Sequence, residues 1–358
     1  MPPNAANIPP IVLDGSYGEG AGALVRTALV LSTLTQQPVS ISSVRGGSRF
    51  PGVSAEDLAL VEALGRISGG EATGAEPGSH EMLYRPGRRV RGLNEALTVA
   101  ANPRDAFGPN ALVVATALLP ILARAGVYSV FSIEGETYGH NVLGFDYFSH
   151  VTLDAMRRFG LYAYAEIEEA GFGRGSRGIV HVEVEPSALN GATWTDRGRL
   201  LECQAIVTTA ELSQDVGLRG VAHLERLAQN AGLQLEIDHQ QVRSKSPGAY
   251  VTVWAKFENG YGGGTAMGAR GIRMEAVAQQ AFGGFIEFLH SDATVDSFLA
   301  DQILIVAACA EGDVAFKVDR LTQRFLTIVW VLKQFLPIRL TVKGREGEPG
   351  VVTIRKEP

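Results

Sequence analysis

The sequence predicts a repeated α+β architecture carrying a small inserted α/β domain. Three observations point to it. Short β-branched runs alternate with helical runs along the chain. The unit strand, helix, strand recurs several times without identical sequence, as in folds built from repeated supersecondary units. The pattern changes near Pro186 and returns in its earlier style at Met274.

The elements follow in order. Ile11–Leu13 reads as a strand leading into a helix over about Ala23–Thr35. Val39–Val44 is a β-branched strand ending at Arg45. Ala55–Ser68 reads as a helix, with Leu58, Val61, Leu64 and Ile67 on one stripe. Glu81–Tyr84 is a short strand before the turn at Pro86-Gly87. Ala111–Ala125 is an apolar helix and Tyr128–Glu134 a strand. Asp146–Phe159 is a helix and Tyr162–Ile167 a strand. Beyond Pro186 come a strand (Leu200–Thr209), a helix (Asp215–Ala231) and two strands (Leu233–Asp238, Tyr250–Phe257). Gly262–Gly264 and Gly268–Gly271 read as a flexible stretch. The expected division is residues 10–186 with 273–352 as the main domain and 187–272 as the insert.

Composition bounds the function. The 358 residues suffice for two domains or one large elaborated one. At 46% apolar and 20% charged, the composition is that of a globular protein. The net charge of −6 leaves no global basic field, so a nucleic-acid site has to be a local patch. Cys203 and Cys309 sit in apolar runs and read as core residues. No CxxC pair or His/Cys cluster suggests a metal centre. Met1–Pro10 lacks the apolar core of a signal peptide, and runs such as Ala111–Ala125 are too short to span a bilayer, so a cytoplasmic location without membrane association is expected.

The chemistry concentrates at three places. In Leu13-Asp-Gly-x-x-Gly-Glu-Gly-x-Gly22 a glycine-dense turn joins a strand to a helix, with Arg26 on the first turns. Such a junction frees backbone N–H groups to face an anion. Asp14, Glu19 and Arg26 fit a metal–nucleotide site with Glu19 on a divalent ion. The same residues also fit an ordinary turn with an exposed glutamate. A dinucleotide site fits less well, because the third glycine has the wrong spacing. Next, Arg45 and Arg49 lie in a Gly/Pro loop, where two guanidiniums can fork onto phosphate oxygens or simply be solvated. Last, Asp301-Gln302 opens an apolar helix, a pair able to read a base edge and equally usual at a helix start. Basic clusters at Arg85, Arg88, Arg89 and Arg91, and at Arg320, Arg324 and Lys333, suit a polyanion or a solvated face.

Taken together these pieces resemble the RNA 3′-terminal phosphate cyclase family. The resemblance also rests on Pro51-Gly52, Ala75-Glu-Pro-Gly-Ser79, Leu118-Leu-Pro120, Asp146-Tyr147, Gly171-Phe172, Ala293-x-Val295 and Phe335-Leu-Pro337, all in family order. It implies repeated β-α-β-α-β-β units, an architecture shared with enolpyruvyl-shikimate-phosphate synthase. It implies ATP and Mg²⁺ or Mn²⁺ as cofactors, an RNA 3′ end as partner, and a histidine that is adenylated before AMP passes to the RNA 3′-phosphate. It implies a phosphate or nucleotide site from Asp14, Glu19, Arg26, Arg45, Arg49, Asp301, Gln302 and Thr327, with Glu19 on the metal.

At one step the sequence departs from the family. Counting back from Phe335-Leu-Pro337, the nucleophile of the family's His-x-x-Thr-Asn pattern is replaced by Arg324; Thr327 remains and Ile328 stands for the Asn. A guanidinium stays protonated and offers no lone pair to phosphorus. The family's Gln-His reads Glu56-Asp57, a helix glutamine reads Thr116 or Ala115, and its glycine cluster reads Gly173–Gly178. The expectation is a divergent member that binds RNA 3′ ends or nucleotide without self-adenylation, as in the family's non-cyclase branch in ribosomal RNA processing. Two alternatives are an active cyclase with His140 or His290 as relocated nucleophile, and a metabolic enzyme of the synthase architecture. His181 reads as structural.

Overall fold

The computed structural model describes residues 8–87, 90–99, 109–173 and 175–356. Three units repeat one topology. The first runs β1 (Ile11–Asp14), α1 (Gly22–Thr35), β2 (Val39–Ser42), α2 (Ala55–Ser68), β3 (Glu71–Thr73), β4 (Met82–Arg85), with sheet order β1-β2-β4-β3. The second runs β5 (Ala96–Thr98), α3 (Ala111–Ala123), β6 (Ser129–Gly135), α4 (Phe145–Tyr147), a π turn (Phe148–Thr152), α5 (Leu153–Arg158), β7 (Ala163–Glu169), β8 (Gly178–Val184), with order β5-β6-β8-β7.

The third unit is interrupted. After β9 (Thr193–Trp194) the chain leaves for β10 (Leu200–Ala210), α6 (Gln214–Asn230), β11 (Glu236–Gln241), β12 (Gly248–Phe257), β13 (Gly260–Met267) and α7 (Met274–His290). It returns as α8 (Ser297–Cys309), β14 (Val314–Val318), α9 (Gln323–Phe335), β15 (Ile338–Lys343) and β16 (Gly350–Lys356). The third sheet is β15-β16-β14-β9, the order of the other two read from its far edge. In each unit the first two strands are parallel and the rest antiparallel. The helices α1, α2, α3, α8 and α9 pack on one another, and alternating burial along β6, β8 and β16 leaves one sheet face toward solvent.

Local chemistry explains the helix starts. Ser54 and Asp57 form a capping box at α2, and Gly69 ends that helix in the left-handed region (φ 69°). Asn110, Asp296 and Thr322 cap α3, α8 and α9 through their side chains. Pro120 sits in the last turn of α3, a helix buried on nearly every side.

Three expectations about the insert differ from the structure. β9 pairs with β14, so the insert leaves after it rather than at residue 187. α7 packs on β12, β13 and α6, so the insert closes at about residue 290 rather than 272. Gly262–Gly264 is the middle of β13 and not a flexible stretch. The glycines let α7 lie directly on the sheet. A Cβ at Gly264 would stand 2.2 Å from the Ala281 carbonyl, and one at Gly262 2.7 Å from the Phe288 ring.

Candidate functional site: a guanidinium-lined cleft at the start of helix α1

The glycine turn after β1 is fixed from two sides. Asp14 Oδ1 accepts hydrogen bonds from Ser16 N (3.0 Å) and Oγ (2.7 Å), which begins the turn. Gly18 (φ +64°) and Gly20 (φ +56°) then take conformations that L side chains rarely adopt. A Cβ at Gly18 would lie 2.2 Å from Thr327 Oγ1, so the turn rests against α9. Thr327 Oγ1 accepts the Glu19 amide proton at 2.9 Å and donates to the Gln323 carbonyl at 2.8 Å. Gly47 N donates to the Gly20 carbonyl at 3.0 Å, which holds the arginine loop against the turn.

Helix α1 opens from this turn with Ala21 at the N-cap and no side-chain cap. Its first N–H groups lack intrahelical partners and carry the positive end of the helix dipole. Two guanidiniums converge there. A Cβ at Gly22 would meet Arg26 Nη1 at 2.6 Å and Arg45 Nη1 at 3.5 Å.

Carboxylates hold the guanidiniums in place. Arg26 Nη1 donates to Glu56 Oε2 at 3.1 Å, while Glu56 Oε1 accepts the Asn110 amide at 3.0 Å. Burial lowers the Arg26 pKa, against the pull of Glu56 and Asp57. Arg45 has a left-handed backbone (φ 54°), uncommon outside glycine, and its Nη1 lies 3.6 Å from the fully buried Asp57 Oδ2. Its Nε is buried and has no acceptor among the described residues. Arg49 is exposed, with its guanidinium 5.5 Å from the Phe50 ring centroid. Arg324 faces Glu19 as a fork: Nη2 to Oε1 is 3.0 Å, Nε to Oε1 3.1 Å and Nε to Oε2 3.3 Å. Burial opposes the Arg324 charge, but Glu19, together with Asp301 and Glu56, outweighs it and raises the pKa. Burial pushes Asp301 up to about 7, against the pull of Arg324 and with the push of Glu19.

These groups line one cleft of about 480 Å³. Glu19, Arg26, Arg45, Arg49, Asp301, Gln302 and Arg324 all reach it, although some 300 residues separate the first from the last. Its other wall is apolar, made by Val113, Ala117 and Pro120 of α3, Phe298, Ile305 and Val306 of α8, and Ile328 of α9. Glu56 and Thr116, two of the departures from the family pattern, also line it. The apolar wall was missed from sequence. The available signal was helical spacing: Ile305 and Val306 lie three and four residues after Gln302 and share its face.

Not every expected residue lies in the cleft. Asp14 does not line it; its carboxylate is spent on Ser16 and initiates the turn. Thr327 is 1% exposed and acts from behind by holding the Glu19 amide. Gln302 lines the cleft with its amide engaged: Oε1 accepts from Thr152 at 2.6 Å and Nε2 donates to the Phe298 carbonyl at 3.0 Å. His140 is exposed in a turn and His290 ends α7; neither lines the cleft. Arg320 and Lys333 do not line it either, and Arg88 and Arg89 lie outside the described residues.

The chemistry of the donor set favours anions over metal ions. Both Glu19 oxygens face a guanidinium, and Glu56 is taken by Arg26 and Asn110. Among the described residues no group of three His, Cys, Asp or Glu side chains is placed to hold a metal ion. Also among them, no helix is long and apolar enough to cross a membrane. Uncapped helix amides, three positioned guanidiniums and an apolar wall together suit a phosphate joined to a flat apolar group.

Comparison with known proteins identifies the family. A family model described as RNA 3′-terminal phosphate cyclase matches residues 17–342. An RNA 3′-terminal phosphate cyclase of Thermococcus onnurineus is 35% identical over 354 residues, covering 96% of this chain and 98% of that protein. One from Methylococcus capsulatus is 31% identical over 348 residues, covering 97% and 96%. Among solved structures, the enolpyruvyl transferase NikO from Streptomyces tendae matches 93% of this chain and 47% of its own, at 12% identity and a TM-score of 0.38, too low to bear on the reading. With the family model spanning nine-tenths of the sequence and relatives aligned almost end to end, the chain belongs to the RNA 3′-terminal phosphate cyclase family.

Proposed function

We propose that this protein binds RNA 3′ ends in the cleft at the start of α1 and does not adenylate itself. One observation carries the reading: the side chain in the cleft at the position the resemblance assigns to the nucleophile is Arg324, held by Glu19 at 3.0 Å. A guanidinium has no free lone pair near neutral pH, so it cannot attack the α-phosphate of ATP, but it can hold a phosphate. The terminal phosphate would sit between the α1 amides and the Arg26 and Arg45 guanidiniums, with the last base on the apolar wall of α3 and α8. Free ATP would compete for the same groups. A relocated nucleophile is not favoured, because neither His140 nor His290 lines the cleft.

The test compares one RNA oligonucleotide bearing a 3′-phosphate with the same strand ending in a 3′-hydroxyl, both titrated at fixed salt. The expected result is tighter binding of the phosphorylated end by roughly tenfold or more, the scale of one or two charge-assisted hydrogen bonds. Equal affinity for the two ends would contradict the proposal.

A further inference from the structure

We infer that the Arg324 guanidinium occupies the place of a divalent cation at Glu19, so that phosphate binding in this cleft needs no metal ion. The inference rests on the end-binding reading for its ligand, but its central claim concerns the protein alone. Glu19 is the only carboxylate in the glycine turn, and the resemblance gives it a divalent ion. In this chain its two oxygens are covered by Nε and Nη2 of Arg324 at 3.0–3.3 Å. Those contacts engage both carboxylate oxygens, the atoms through which a carboxylate binds a hard cation.

Among the described residues no neighbour restores the lost donors: Asp301 also lines the cleft, but no group of three His, Cys, Asp or Glu side chains is placed to hold a metal ion. Mg²⁺ and Mn²⁺ favour sets of oxygen ligands. Glu56 has both oxygens in hydrogen bonds, to Arg26 and to the Asn110 amide. Asp57 faces inward to the Ser54 amide and hydroxyl. Arg324 itself is well placed to act as the cation. Its helix is capped by Thr322 and its charge is anchored by Glu19 on one side. Its Nη1 makes no hydrogen bond among the described residues and remains available to an anion. One permanent side-chain charge thus does the electrostatic work of a bound metal, and the same substitution removes the nucleophile.

The experiment has two arms. In the first, Mn²⁺ is titrated into the RNA-free protein and followed by electron paramagnetic resonance. The unmodified chain is expected to show no site that depends on Glu19. Mn²⁺ binding that disappears in Glu19→Gln would overturn the inference. In the second, the 3′-phosphorylated oligonucleotide is titrated in EDTA and in Mn²⁺. The unmodified chain is expected to bind equally in both, within about twofold, while Arg324→Ala loses roughly tenfold in EDTA. Arg324→Lys, which keeps the charge and loses the fork, should lose less. Tighter binding of the unmodified chain in Mn²⁺ by tenfold would also overturn it. If no RNA binds under any condition, the end-binding reading fails, and the Mn²⁺ titration still decides the metal claim.

Discussion

Arg26→Ala is expected to weaken binding of a 3′-phosphorylated RNA by roughly 1.5–3 kcal/mol, about 10- to 150-fold, while leaving binding of the 3′-hydroxyl strand nearly unchanged. Arg26 is mostly buried, and its Nη1 sits over Gly22 at the uncapped start of α1. A phosphate there would receive a charged donor that has little water to compete with. Removing it also strands Glu56, whose carboxylate would then face the incoming anion without its partner at 3.1 Å. Both effects act in the same direction. Arg49→Ala is the contrast: that side chain is exposed, so its loss should matter much less and fade with added salt. Titration of the two oligonucleotides against each variant, with thermal melting to confirm folding, checks the prediction. An Arg26→Ala variant that still prefers the phosphorylated end by the full factor would remove Arg26 from the site.

The second large effect concerns the seam between the insert and the second unit. Asp146 of α4 is 1% exposed. It accepts from Tyr138 Oη (2.9 Å) and Gln240 Nε2 (2.9 Å) on Oδ1, and from Thr208 Oγ1 (2.7 Å) on Oδ2. Thr208 and Gln240 belong to β10 and β11 of the insert, so one carboxyl ties the two bodies together. Asp146→Ala leaves three donors without this acceptor and should cost about 3–5 kcal/mol. The pH dependence has a definite sign. Burial raises the Asp146 pKa from 3.8 to about 6, and its three hydrogen bonds only partly offset this. A raised carboxyl pKa means the folded state favours the protonated form. Its contribution is therefore fully present below about pH 4 and is lost as pH rises through about 6, on the order of 3 kcal/mol in all. Burial raises Glu136 to about 8, and Asp319, like Asp301, to about 7, with the same sign. Stability measured by denaturant unfolding should thus fall from pH 5 to pH 8, and Asp146→Asn should flatten the part of that slope below about pH 6 while leaving the part above it. A rise over the same range would contradict the assignment.

Much of the cleft was legible because it is written in local motifs. Glycines at a strand end and Arg26 one turn into the helix each have a spacing with a physical meaning; Asp301-Gln302 reads as a helix start, whereas α8 begins a turn earlier at Ser297, where Asp296 caps it. Their convergence was legible only through the family pattern, since nothing in residues 14–26 announces residue 324. The Glu19–Arg324 fork is a pairing across 305 positions and leaves no periodic trace. The same holds for the Asp146 seam: Thr208 and Gln240 look like ordinary strand residues until the insert docks. The glycines of β13 were misread for the opposite reason. Local propensity says flexible, but α7 packs so closely on that strand that Gly262 and Gly264 tolerate no side chain. The placement of α7 with the insert follows from that same contact, which no sequence pattern near Met274 encodes.

The central claim is an end-binding cleft in which Arg324 has replaced the nucleophile. The most direct measurement incubates the protein with α-labelled ATP and Mg²⁺ or Mn²⁺, then looks for acid-labile label on the chain. Glu19 and its neighbours raise the Arg324 pKa beyond its already high ordinary value, so essentially no neutral nucleophile exists at pH 7, and no label should appear. A stable protein–AMP adduct would contradict the account, and mapping it to His140 or His290 would establish a relocated nucleophile in its place.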